Sequence, residues 1–168
     1  MHIFIVGPMA SGKSTIGKKL AKTLGVDFID FDKEIERKAG VEISRIFELE
    51  GEEGFREREK KTLKELSGGN NSVISTGGGA VLRIENRELM KSKGKVIYLE
   101  TPVELQLERT LKDKSRPLLS KGNKEETLRS LKKQRDPLYQ EIANITIKQN
   151  NKNYYQILKE IIKNLNVN

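Results

Sequence analysis

Residues 7–14 read Gly-Pro-Met-Ala-Ser-Gly-Lys-Ser, a full match to G-x-x-x-x-G-K-[ST]. Glycines in such a loop let backbone N–H groups turn inward around phosphate oxygens without side-chain collision. A helix that begins where the loop ends adds the positive end of its dipole. Lys13 is then placed to reach the β- and γ-phosphates of a nucleotide, and the Ser14 hydroxyl to bind Mg²⁺. The bland alternative is a glycine turn entering a surface helix. It is disfavoured because the match lies between a strand pattern and a helix pattern, the context the motif requires.

A phosphate loop usually works with an acid near the metal, at the end of an apolar strand. Asp30 and Asp32 flank Phe31 at the end of the run 26–30. In an extended backbone, residues two apart point to the same side, toward one shared volume. One carboxylate can then orient metal-bound water while the other takes a proton from an acceptor hydroxyl. The competing assignment is that Asp32 only caps the next helix, since Asp is a favoured cap. Gly77, Gly78 and Gly79 follow a third strand pattern. In an open α/β sheet, ligands bind just beyond the strand ends, and three glycines allow close approach to the backbone. Arg56, Arg116 and Arg135 stand out by setting, although any one basic residue is most simply a solvated charge.

The elements that must hold these residues alternate strand and helix. Strands are expected at 2–6, 26–30, 73–75, 95–99 and 145–147. Helices are expected at about 14–24, from Asp32 to Gly40, at 43–49, at about 52–66, at about 125–142 and at 154–165. Thr101, Pro102 and Glu104 have the spacing of a cap, a first-turn proline and a capping-box acid. Residues 112–124 are polar and aperiodic, which reads as a mobile lid. The expected fold is a three-layer α/β/α domain over 1–168 with a five-stranded parallel sheet and helices on both faces. Helices at about 32–66 would carry the substrate side.

Composition removes other classes. The chain of 168 residues has no cysteine and one histidine, which excludes disulfides, thiolate zinc and a cysteine nucleophile. His2 alone cannot build a histidine metal site. No apolar stretch has membrane-spanning length, and residue 2 already enters a strand pattern, so a cytoplasmic protein is expected. The net charge of +8 raises the question of nucleic acid. However, the lysines lie on helical patterns mixed with glutamate, and no interleaved basic–aromatic patch occurs, which reads as a solvated face.

The ordered set GPMASGKST, DFD, FRxxE, GGG, RPLL and RxPLY resembles the shikimate kinase family, within the nucleoside-monophosphate-kinase-like P-loop group. The resemblance covers nearly the whole chain. It implies transfer of phosphate from MgATP to the 3-hydroxyl of shikimate, in aromatic amino-acid biosynthesis (the chorismate pathway). It implies one Mg²⁺ per subunit, ATP as co-substrate, and a monomer with small-molecule partners only. Ala10, Ser11, Gly12, Lys13, Ser14 and Thr15 would surround the phosphates, with Ser14 on the metal and Asp30 in its outer shell. Asp32 would hold the acceptor hydroxyl, either as its base or only to position it. Arg56 and Arg135 would clamp the shikimate carboxylate, with Glu59 orienting Arg56 and the Gly77–Gly79 backbone contacting the ring. Arg116 would close over the phosphates from the lid, while Arg109 and Lys152 would lie by the nucleotide. The loop 148–152 departs from the family pattern, lacking its acid and proline beside adenine. Two rivals stay open: a gluconate or nucleoside-monophosphate kinase of the same architecture, and a nucleotide-dependent switch or nucleic-acid-binding ATPase.

Overall fold

Short apolar runs bounded by loops suit strands buried on both faces. In the computed structural model, which describes residues 1–111 and 123–166, five such runs form one sheet. They are β1 (His2–Val6), β2 (Asp27–Asp30), β3 (Ser72–Ser75), β4 (Gly94–Glu100) and β5 (Ile145–Lys148). Every pairing is parallel and the order is β2-β3-β1-β4-β5. The register sets Ile5 beside both Ser75 and Ile97. Strand order reverses around β1, so the loop after β1 opens into a crevice at the sheet's carboxyl edge.

The two-residue side-chain period of the strands divides the interior into two cores. Phe4, Val6, Ile74, Val96 and Tyr98 face one side. There they pack against α2 (Phe31–Ala39), α3 (Ile43–Leu66), α4 (Ile84–Lys93) and α6 (Lys124–Ile142). Ile5, Val73, Ile97 and Leu99 face the other, against α1 (Lys13–Leu24) and α7 (Tyr154–Asn166). The helix α5 (Val103–Thr110) packs its Val103 with Leu128 of α6 beside the sheet. The expected three layers are present.

Several local expectations change. The cap of α2 is Asp30, whose Oδ1 accepts from the Lys33 N–H at 3.3 Å, and not Asp32. Phe31 and Ile35 are both buried, and this spacing of four pulls the helix start forward to Phe31. Asp32 thereby falls on the first turn of α2, one residue inside its start. Thr101 does not cap α5 either: Pro102 precedes that helix, and the Thr101 hydroxyl donates to Leu99 O. The patterns at 43–49 and 52–66 join as α3, interrupted at Gly51, whose φ of 70° and ψ of −178° break the helix axis. A 3₁₀ turn at Ala80–Leu82 and the helix α4 fill a stretch with no sequence assignment. Pro137 lies inside α6, which runs on through it as one element.

Candidate active site

The loop joining β1 to α1 carries residues 7–12, and Gly12 caps the helix in the left-handed region at φ 85°. A glycine cap has no side chain to accept from the first N–H groups of α1, so these donors remain available to an anion. Lys13 Nζ donates back to the carbonyls of Gly7 and Pro8, at 2.9 and 2.8 Å. Its charge thus lies over the loop that would receive phosphates.

At the second residue of α1, the Ser14 hydroxyl donates to Asp30 Oδ2 at 3.0 Å and lies 3.3 Å from Ser75 Oγ. Asp30 is held from both sides, by Ser14 and by its own capping bond. These side-chain donors are all oxygens, from the ends of β2 and β3 and the start of α1, which suits a hard divalent cation such as Mg²⁺.

Asp32 faces the glycine run after β3: a Cβ built on Gly77 would lie 2.8 Å from Asp32 Oδ1 and 3.4 Å from Glu59 Oε2. A Cβ on Gly79 would collide with the Arg56 guanidinium at 2.4 Å, and one on Gly78 would touch Arg135 Nη1 at 3.4 Å. The glycines therefore make room first for the protein's own charged groups. Arg56 is buried and pairs with Glu59 at 3.0 Å and with Glu52 at 3.4 Å. Arg135 is buried as well, one turn of α6 before Tyr139, whose hydroxyl donates to Gly78 O at 2.6 Å. Burial pushes the Glu59 carboxyl up to about 7, and nearby Asp32 adds to this against the opposing pull of Arg56.

These groups line two chambers of one cleft. A cavity of about 520 Å³ holds Asp32, Arg56, Glu59, Gly79 and Arg135. A second, of about 370 Å³, holds the loop residues from Met9 to Thr15 together with Arg109 and Tyr154. Ser14, Asp30, Asp32, Gly77 and Gly78 belong to both. The first chamber is suited to a small anionic molecule and the second to phosphates, and they meet at the two carboxylates.

The expected residues thus divide cleanly. Ala10, Ser11, Gly12, Lys13, Ser14, Thr15 and Arg109 line the second chamber. Lys152 does not: its Nζ pairs with Glu160 of α7 at 2.5 Å. Arg116 and the lid, apart from Asn123 and Lys124, lie outside the described residues. Sequence reasoning missed Tyr154, whose ring underlies the Arg109 guanidinium at 5.6 Å and closes against Gly12. It also missed Gln106 and Gln149, neutral residues whose partners lie far along the chain and leave no local pattern; Tyr139 enters the sequence reading only as part of RxPLY.

A parallel sheet with a phosphate loop at its switch point, opening on a second chamber through shared carboxylates, defines a P-loop phosphotransferase. The family model described as shikimate kinase matches residues 9–166. A shikimate kinase of Actinobacillus pleuropneumoniae serotype 5b (strain L20) is 51% identical over 162 residues, covering 96% of this chain and 94% of its own. One from Acinetobacter baumannii (strain AYE) is 55% identical over 149 residues, covering 89% and 83%. A solved shikimate kinase from Acinetobacter baumannii, described as in complex with shikimate, superposes with a TM-score of 0.94 at 51% identity. That match covers 98% of this chain and 92% of the other. The chain belongs to the shikimate kinase family.

Proposed function

We propose that this protein transfers the γ-phosphoryl group of MgATP to the 3-hydroxyl of shikimate, giving shikimate 3-phosphate and ADP for aromatic amino-acid biosynthesis. The observation that carries this reading is the sharing of Ser14, Asp30, Asp32, Gly77 and Gly78 between the two chambers. A phosphoryl donor on one side and an alcohol on the other would meet beside Asp32. The description of the Acinetobacter baumannii relative as a complex with shikimate supports the choice of acceptor.

Phosphoryl transfer asks the protein mainly for positioning and charge stabilisation. The loop from Ala10 to Thr15 and the start of α1 would hold the phosphates, with Lys13 supplying positive charge. Ser14 Oγ would hold Mg²⁺ directly and Asp30 through its water shell. When bound, Mg²⁺ neutralises charge on the phosphate oxygens. Asp32 would accept the hydroxyl proton, or hold that hydroxyl in line. Arg56 and Arg135 present fork-shaped donors suited to a carboxylate, and Glu59 holds the Arg56 fork from behind.

The test is ADP release measured with a coupled assay, offering shikimate, gluconate and a nucleoside monophosphate in turn. Release should require shikimate and Mg²⁺, and Lys13→Ala should abolish it. Turnover with gluconate or the nucleotide in place of shikimate would overturn the assignment.

A further inference from the structure

Side chains hold the phosphate loop at each of five successive carbonyls, three of them from other elements of the fold. Lys13 Nζ takes those of Gly7 and Pro8. Gln106 Nε2 of α5 donates to Met9 O at 3.0 Å, and Arg109 Nη1 donates to Ala10 O at 2.8 Å. Gln149, just past β5, donates through Nε2 to Ser11 O at 2.5 Å. The same Gln149 amide donates to Thr101 Oγ1 at 3.0 Å and accepts from both terminal nitrogens of Arg109 at 3.3 Å. One buried side chain thus ties the loop, the end of β4 and the arginine together.

A trans peptide is planar, so its C=O and the following N–H point in opposite directions. Holding Met9 O and Ser11 O outward turns the N–H groups of Ala10 and Gly12 to the opposite side of the loop. The Ser11 N–H between them closes a turn on Pro8 O at 3.3 Å. This geometry is not one the chain adopts cheaply, since Ala10 sits at φ 60°, a left-handed conformation disfavoured for a residue with a Cβ. Gln106 and Gln149 are each 2% exposed, and Gln106 Oε1 has no partner among the described residues. A buried amide with an unpaired oxygen is costly, which is explained if its N–H group is what the site needs.

We infer that Gln106 and Gln149 are positioning residues of the phosphate cradle, holding the Met9 and Ser11 carbonyls so that the N–H groups of Ala10 and Gly12 are preset for a polyphosphate. The inference rests on the nucleotide reading of this chamber. Both act through the loop carbonyls they hold rather than on the reacting atoms.

Inorganic tripolyphosphate is the discriminating probe, because it carries the phosphates without adenine. Calorimetric titration of the full chain with tripolyphosphate and with MgATP should be run on wild type, Gln106→Met, Gln149→Met and Gln149→Glu. Steady-state constants and melting temperatures belong beside them. Each Met variant keeps side-chain length but loses the donor. It should weaken both probes by the same factor, about 3- to 10-fold, the scale of one hydrogen bond. The KM for shikimate should not move. Gln149→Glu keeps an acceptor for Arg109 but sets a carboxylate against Ser11 O, so it should lose at least as much as Gln149→Met. A loss for MgATP with none for tripolyphosphate would overturn the inference, placing the effect at the base. So would a lowered melting temperature with both affinities intact. Should wild type bind neither probe, the nucleotide reading itself fails, and the inference with it.

Discussion

A methyl group on Gly77 would stand 2.8 Å from Asp32 Oδ1, so the carboxylate occupies space that any side chain there would need. Gly77 has no left-handed φ, and alanine can adopt its backbone. Gly77→Ala should therefore fold and push Asp32 aside. A displacement of about 1 Å at a reacting group costs on the order of 100-fold in rate. Steady-state kinetics should show that loss in kcat with the KM for ATP little changed. A kcat near wild type would mean that the position of Asp32 is not critical.

Gly79 guards the other function. Its added methyl would meet the Arg56 guanidinium at 2.4 Å, so Gly79→Ala should raise the KM for shikimate while leaving ATP alone. Arg56→Ala and Arg135→Ala should each weaken shikimate binding by about 10- to 150-fold, equivalent to about 1.5–3 kcal/mol for hydrogen bonds to a charged group. Titration of shikimate against its methyl ester checks the assignment. Wild type should prefer the acid, and the two arginine variants should have lost most of that preference. Retention of the full preference in both would put the carboxylate clamp elsewhere.

The two aspartates separate by substitution. Asp32→Asn should retain MgATP binding and lose about 10²- to 10⁴-fold in kcat, the range for a lost general base. Asp30→Asn keeps a good helix cap, so it should fold normally and show a raised Mg²⁺ requirement in a metal titration. Asp30→Ala should additionally lose about 1 kcal/mol of stability, because α2 loses the bond to the Lys33 N–H. Equal rates for Asp32→Asn and wild type would remove the base from the mechanism.

Glu59 carries a pH signature. Its carboxyl is pushed up to about 7 by burial, so the folded chain holds a proton that the unfolded chain has released above the ordinary value of 4.5. Its contribution to stability is complete below about 4.5 and is lost as pH rises through about 7. Melting temperatures of wild type and Glu59→Gln should therefore diverge as pH rises across that window, wild type falling relative to the variant, and run parallel above it. His2, lowered by burial, contributes with the opposite sign but equally to both proteins. Parallel curves throughout would mean that Glu59 ionises normally beside Arg56.

Much of this was legible in residue order. The phosphate loop is a local pattern between a strand and a helix, and the apolar runs of β1 and β4 are buried on both faces as their composition requires. The pair Asp30 and Asp32 was recognisable as a candidate site, yet which of the two caps α2 was not. It depends on Phe31 and Ile35 both reaching the core, a tertiary demand that fixes the start of α2. The helix α4 escaped because its ten residues carry few apolar side chains, and one buried position is Asn86, which bonds to Ala80 O. The glycine run was read as space for a ligand. That Asp32 and Arg56 fill part of this space depends on α2 and α3 folding over it. Gln106 and Gln149 gave no signal, since an amide that bonds across 97 or 138 residues has no spacing to detect.

Phosphorus–proton correlation NMR of the reaction product identifies the hydroxyl of shikimate that receives the phosphate. Incubation with MgATP and shikimate should yield one phosphomonoester, coupled to the proton on carbon 3, with ADP formed in equal amount. A phosphate on another hydroxyl, or ADP formed while shikimate remains unmodified, would rule out transfer to the 3-hydroxyl.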